Sequence, residues 1–154
     1  MSPLVAREAV EADAELLLAW RNDPRTRQAS RSGEVIALAD HLRWLRGVLA
    51  SPERLLLVVS DGTAPVGTVR FDRCGEPGEW EVSITLAPES RGRGLSRAVL
   101  AAGEHMLFQR HEVRAILAAV HEDNAASAAL FERSGYVESA PAEDGFRWLR
   151  KTRR

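Results

Sequence analysis

The chain has 154 residues, 45% of them apolar and 28% charged, proportions that suit a single globular domain with a buried core. Its 21 basic and 22 acidic side chains leave a net charge of -1, which gives no electrostatic reason to expect nucleic acid or an anionic membrane as the main partner. One cysteine, Cys74, excludes an intramolecular disulfide and a cysteine-cluster metal site, no apolar run approaches the roughly 18 residues a membrane span needs, and the segment from Met1 to Glu8 lacks a signal-like pattern, so a cytoplasmic location is expected.

In chain order, a short apolar stretch at Leu4-Val5 precedes a helix carrying Leu16, Leu17 and Trp20. Asn22-Asp23-Pro24 should stop that helix, because the residue before proline avoids the α region and proline cannot donate a backbone bond. A polar loop is expected next. Leu38, Leu42, Leu45 and Leu49 then fall at helical spacing, and Ser51-Pro52 closes this second helix.

Three strands are expected after it. The first is the apolar run from Leu55 to Val59, closed by Asp61-Gly62, and the second runs from Pro65 to Phe71. In the third, Trp80, Val82, Ile84 and Leu86 alternate with Glu79, Glu81, Ser83 and Thr85, giving one apolar and one polar face. Pro88 breaks that strand. A loop from Glu89 to Gly94 leads into a helix whose buried stripe reads Leu95, Val99, Ala102 and Met106. The apolar run from Ala115 to Val120 has the pattern of a central strand buried on both faces. Asn124 or Asp123 can cap a last helix through Arg133, which Gly135 terminates. Short strands at Tyr136-Val137 and Phe146 to Leu149 finish the chain, and Lys151 to Arg154 read as a solvated basic tail. A mixed sheet flanked by helices is the economical way to bury this order of elements.

The loop before the third helix carries the chemistry. Gly92 and Gly94 let a backbone approach a ligand closely, and Arg91 and Arg93 bring two positive charges to the same place. The helix from Leu95 aims unpaired N–H groups and a partial positive charge at the loop. Together these make a metal-free cradle for a pyrophosphate.

The run Arg91-Gly92-Arg93-Gly94-Leu95-Ser96 after Ile84 to Pro88 resembles the acetyl-CoA loop of the GNAT superfamily of N-acetyltransferases. The later run from Asn124 to Tyr136, small residues followed by an aromatic and then Gly-aromatic, is similar to a second motif of that family. The resemblance covers nearly the whole chain. It implies a single α+β domain over residues 1–154, with a mixed sheet of about six to seven strands, about four helices, and splayed strands forming a cleft. It also implies backbone contacts to the cofactor arm from Ile84 and Leu86. The amides of Gly92, Arg93, Gly94, Leu95 and Ser96, beside Arg91, would take the pyrophosphate of acetyl-CoA, and Asn124 and Ser127 would face the cofactor arm.

The sequence departs from the family at two places. Ser96 stands where glycine or alanine is usual, and Phe131 stands where many members have a tyrosine that protonates the departing thiolate. A thiol of pKa roughly 8.5 can leave without a local acid.

Direct transfer needs an oxyanion donor, expected from backbone near Leu86, and a base for the ammonium proton. Glu79 and Glu81 share the polar face of the strand leading there; the resemblance favours Glu81, and His121 is a second candidate. His105 and His111 read as helix-surface residues.

Trp20 to Pro24, His41 to Leu45 and Val69 to Asp72 resemble the members that acetylate nucleotide-linked amino sugars, especially in pseudaminic-acid-type pathways. Trp20 or Trp44 could stack on a sugar or base, and Arg21 or Arg70 could pair with a phosphate. A small-molecule amine is therefore the expected acceptor, with protein N-terminal or lysine acetylation, or non-catalytic acetyl-CoA sensing, as the alternatives. The acceptor-side helices could pair two subunits.

Overall fold

The computed structural model describes residues 4–29 and 34–153. Residues 1–3, the 30–33 part of the expected polar loop, and Arg154 of the basic tail lie outside the described residues. The strands are β1 (Val5–Glu8), β2 (Arg54–Ser60), β3 (Pro65–Arg73), β4 (Glu79–Leu86), β5 (Ala115–His121), β6 (Val137–Glu143) and β7 (Phe146–Thr152). The helices are α1 (Ala14–Arg21), α2 (Pro24–Ala29), α3 (Leu38–Ala50), α4 (Ser96–Arg110) and α5 (Ala125–Arg133). The seven strands form one sheet in the order β1-β2-β3-β4-β5-β7-β6, antiparallel throughout except for the β4–β5 pair. This is the expected α+β architecture with a mixed central sheet.

Alternation along the strands builds two cores, one on each face of the sheet. Leu55, Leu57, Val69, Phe71, Trp80, Val82, Ile116 and Leu149 pack with Val99, Leu100 and Leu107 of α4 and Phe131 of α5. On the other face, Leu56 and Val58 pack with Leu17 and Trp20 of α1 and Leu45 and Val48 of α3. At about 25 cal/mol per Å² of apolar surface, each fully buried Leu or Phe contributes about 1.5–3 kcal/mol.

The structure differs from the sequence expectation in five places. First, α2 starts at Pro24, where a polar loop is expected. Proline fits a first helical turn, where its missing N–H has no partner to lose. Asp23 Oδ2 accepts from the backbone N–H groups of Arg25 (3.1 Å) and Thr26 (3.3 Å), so Asp23 starts a new helix just where the old one stops.

Second, the buried face of α3 is His41, Leu45 and Val48, while Leu38 and Leu49 are exposed. Third, α4 buries Val99, Leu100, Gly103, Glu104 and Leu107, leaving Leu95, Ala102 and Met106 only partly covered. Gly103 explains that rotation: a Cβ there would meet the Val69 side chain at 2.8 Å, so the helix lies against β3 along its glycine.

Fourth, Leu117, Ala119 and His121 of β5 are only half-buried. The helices on their side of the sheet, α1 and α3, lie over β2 and β4 instead. Fifth, the basic tail is not a loose end. Lys151 and Thr152 belong to β7, Lys151 Nζ lies 3.0 Å from Glu104 Oε1, and the Arg153 guanidinium sits 4.3 Å from the Phe108 ring centre.

Candidate active site

β4 and β5 pair only at Glu79 with Ala115, Trp80 with Ile116 and Glu81 with Leu117. Beyond Glu81 the two strands part, whereas β4 stays paired with β3 as far as Leu86. Ala87 N–H donates to Val66 O and Cys74 N–H donates to Glu79 O, so the odd-numbered residues of β4 hydrogen-bond to β3. The N–H and C=O groups of Ile84 and Leu86 therefore face away from β3, toward the opening. By the same alternation, Arg153 N–H donating to Arg114 O and Glu122 N–H donating to Gly145 O assign the even residues of β5 to β7. The backbones of Ala119 and His121 form the opposite lip. The Ile84 and Leu86 groups thus lack a strand partner on that side, whereas the His121 carbonyl accepts from Asn124 N–H at 2.8 Å.

The loop ahead of α4 stands at this opening. Gly92 has φ 75° and Gly94 φ 70°, while an added Cβ at either would meet nothing within 4 Å. In the free protein, then, glycine is required there by left-handed backbone rather than by lack of space. No backbone hydrogen bond uses the N–H groups of Gly92, Arg93, Gly94 or Leu95 among the described residues, and the first turn of α4 adds unpaired N–H groups from Ser96 onward. The loop thus presents a row of main-chain donors at the mouth of a 15-residue helix.

The two arginines of the loop differ. Arg91 Nη2 reaches Asp23 Oδ2 (2.6 Å) and Thr26 Oγ1 (2.8 Å), binding the loop to the cap of α2. That guanidinium is largely committed within the protein. Arg93 is half-exposed, with Nη2 4.0 Å from Asp61 Oδ2, and is the more available cation. The carboxyl of Asp61 is held down to about 2 by backbone N–H groups of Ala64 and Thr63 and by the Thr63 hydroxyl.

Asn124 is the cap of α5: its Oδ1 accepts from Ser127 N–H at 3.0 Å. Both residues stand at the start of α5, just after the β5 lip, and both are half-buried. Phe131 is buried, edge-on to Tyr136 at 5.1 Å. The Tyr136 hydroxyl donates to Glu104 Oε2 at 2.6 Å, and burial first, then the Glu104 charge, pushes its pKa far up. Tyr136 is thus a core residue and no substitute for the acid missing at Phe131.

Among the base candidates, Glu79 is engaged by Arg150 Nη1 (2.6 Å) and by Glu76 N–H (3.0 Å), and the Arg150 bond above all holds its carboxyl below the usual range. His121 Nδ1 accepts from Asp123 N–H (3.1 Å) with its ring edge-on to Phe146. That hydrogen bond occupies the Nδ1 lone pair. Glu81 is half-buried at the last paired position before the splay. Burial, then the charges of Glu81, Glu79 and Asp72, push the Cys74 thiol up to about 11, so it is no nucleophile. His105 is exposed, and His111 follows α4 with its ring 4.6 Å from that of Trp80.

On the expected acceptor side, Trp20 is a core residue. The Trp44 ring is covered by other side chains: the guanidinium of Arg70 lies 5.4 Å from its centre, that of Arg54 5.9 Å, and the His41 ring stacks at 5.5 Å. Sequence reasoning missed Asp23 as the partner of Arg91, although Asp-Pro ahead of a polar run is itself a cap signal.

A concavity of about 330 Å³ between β1, α3 and β2 shares no residue with the splay. Among the described residues, no group of three His, Cys, Asp or Glu side chains could hold a metal ion, and no helix is long and apolar enough to cross a membrane.

The model of the acetyltransferase (GNAT) domain family matches residues 4–137. None of the curated proteins matches the sequence at a significant level. The fold is similar to that of the aminoglycoside acetyltransferase AAC(6')-Ib solved with ribostamycin and coenzyme A, with a TM-score of 0.85, 21% identity, and 99% of this chain and 94% of that one covered. It is also similar to spermidine N-acetyltransferase from Vibrio cholerae solved with CoA and spermine (TM-score 0.81, 18% identity, 96% and 92% covered). A ribosomal-protein-alanine N-acetyltransferase from Brucella melitensis matches at TM-score 0.79 and 25% identity, with 96% and 99% covered.

Proposed function

The chain belongs to the GNAT acetyltransferase family, and from that premise we propose that it moves the acetyl group of acetyl-CoA directly onto a primary amine, with a nucleotide-linked amino sugar as the preferred acceptor. The observation that carries this reading is the juxtaposition of the β4–β5 splay with the donor row from Gly92 to the first turn of α4. A cofactor arm fits the splay because it can accept from and donate to the free edges of Ile84 and Leu86. A pyrophosphate fits the helix mouth because main-chain N–H groups and the helix dipole meet it without a metal. The half-exposed Arg93 adds charge at that point. Asn124 and Ser127 line the side of the arm.

Glu81 takes the ammonium proton, since it stands where the strands part. The acetyl oxygen, as it gains charge, is met by a backbone N–H on the Ile84–Leu86 edge. The thiolate departs without a tyrosine, because Phe131 has no proton to give.

Protein N-terminal acetylation is the second reading, supported by the likeness to the Brucella melitensis enzyme. The deciding experiment follows thiol release from acetyl-CoA against a panel of amines: nucleotide-linked amino sugars, free amino sugars, N-terminal peptides, aminoglycosides and polyamines. Turnover on the linked sugars, above all others, is expected. Turnover on peptides alone would move the assignment to a protein acetyltransferase, and acetyl-CoA binding with no turnover on any amine would leave a sensor.

A further inference from the structure

The polar face of the sheet, beside the splay, carries an unbalanced group of arginines. Arg54 Nε and Arg70 Nε share the two oxygens of a single carboxylate, Asp72, at 2.9 and 3.0 Å. Arg70 also extends Nη2 toward Ser83 Oγ of β4, at 3.5 Å. Above them, at the end of α1, Arg21 has Nη1 enclosed with no hydrogen-bond partner among the described residues. Burial lowers the pKa of Arg21 first, and the charge of Arg70 acts in the same direction. The same wall holds a second unsatisfied group: His41 is 3% exposed and its Nε2 also lacks a partner. Its pKa is lowered by burial first, and the charge of Arg21 acts in the same direction.

A half-buried guanidinium with an enclosed nitrogen that has no acceptor is costly unless something negative joins it. Asp72 and Glu81 set two carboxylates against the three cations of this face. Glu81 is the cross-strand partner of Asp72, two residues along β4 from Ser83. A ligand that spans this face therefore meets the Glu81 carboxylate at one end and the arginine group about 7 Å away at the other.

We infer that Arg21 and Arg70 bind an anionic group carried by the acceptor, so that the enzyme selects amines bearing a phosphate or carboxylate and discriminates against polycations. This deepens the acetyl transfer proposed above and rests on it. The ammonium end lies toward Glu81 and the anion toward the arginines. Two structural neighbours were solved with polycationic amines, ribostamycin and spermine, which this face would repel.

The test uses acceptor pairs that differ only in the anion: an amino sugar and its phosphate ester, and an amino acid and its amide, with spermidine as the polycation. The anionic member of at least one pair should have the higher kcat/KM, and which pair responds tells phosphate from carboxylate. Arg21→Gln and Arg70→Gln should each reduce the anionic-over-neutral ratio about 10- to 100-fold, mainly through KM, as expected for loss of a charged hydrogen bond. Arg21→Lys should recover part of it. Acetyl-CoA affinity, measured without acceptor, reports that each variant is folded.

Equal use of charged and uncharged amines, preference for spermidine, or variants that leave the ratio unchanged overturns the inference while acetyl transfer stands. Absence of turnover on every amine overturns the acetyl-transfer reading itself.

Discussion

Arg91 Nη2 lies 2.6 Å from Asp23 Oδ2, which ties the loop at the mouth of α4 to the residue that caps α2. The proposed cofactor cradle and the helix α2 thus share one ion pair, joined by a contact between residues 68 positions apart. The Arg91 bond first, with the Thr26 and Arg25 N–H groups, holds the Asp23 carboxyl below its ordinary range.

Substitution at Asp23 separates its two tasks. Asp23→Asn keeps a good cap and removes the charge, whereas Asp23→Ala removes both. Asn should weaken acetyl-CoA binding and acceptor KM together with little loss of α2, and Ala should add a further loss of stability. Because the folded pKa lies below the unfolded one, the stabilising contribution is present above the unfolded value near 3.9 and is lost as pH falls through the folded pKa. Urea titrations of wild type and Asp23→Asn should therefore differ at neutral pH and converge in strong acid.

At Gly94 the positive φ and the proposed contact with the cofactor make separate demands. Gly94→Ala should cost about 1–2 kcal/mol of stability, since L-residues disfavour left-handed backbone, while Gly94→Asn should cost less. Both should lower acetyl-CoA affinity, because either side chain crowds the N–H row. Calorimetric titration with acetyl-CoA checks this; an Asn variant with wild-type affinity would remove Gly94 from the cradle.

Glu81→Gln should lower kcat by about 10²-fold or more, the usual effect of losing a general base, with acetyl-CoA affinity preserved. The deficit should be greatest at low pH, where fewer acceptor amines are already neutral. A pH profile of kcat that coincides with wild type would transfer the role to water.

Tyr136→Phe probes the buried group that joins α4 to β7. Removing the hydroxyl leaves one oxygen of Glu104, a residue only 5% exposed, without its donor, and should cost about 1–3 kcal/mol. Lys151, at 3.0 Å from the other oxygen, keeps the carboxylate paired. Thermal unfolding should register the loss while the rate of thiol release stays unchanged, as befits a tyrosine outside the chemistry. A large rate loss in this variant would place Tyr136 in the chemistry as an acid.

Features set by local spacing were legible in the sequence. The alternation from Glu79 to Leu86 places Trp80 and Val82 in a core and Glu81 on the polar face, as found. The Asn124 cap and the glycine-rich loop also follow from neighbours within a few residues. Helix faces were less legible: Leu38 and Leu49 fit the α3 repeat yet are exposed, because the helix meets the sheet through Leu45 and Val48. A stripe of leucines does not say which of its edges a sheet will cover.

By itself the sequence determined the strand and helix periods, the left-handed glycines and the donor-rich start of α4, all consequences of backbone sterics and hydrogen bonding over short stretches. Tertiary structure decided that β4 and β5 separate after Glu81, that Arg91 is taken by Asp23, and that Arg21 ends α1 with an enclosed guanidinium nitrogen that no acceptor meets among the described residues. These depend on charges and strand edges brought together from distant parts of the chain, where only the folded path of the backbone sets the distance.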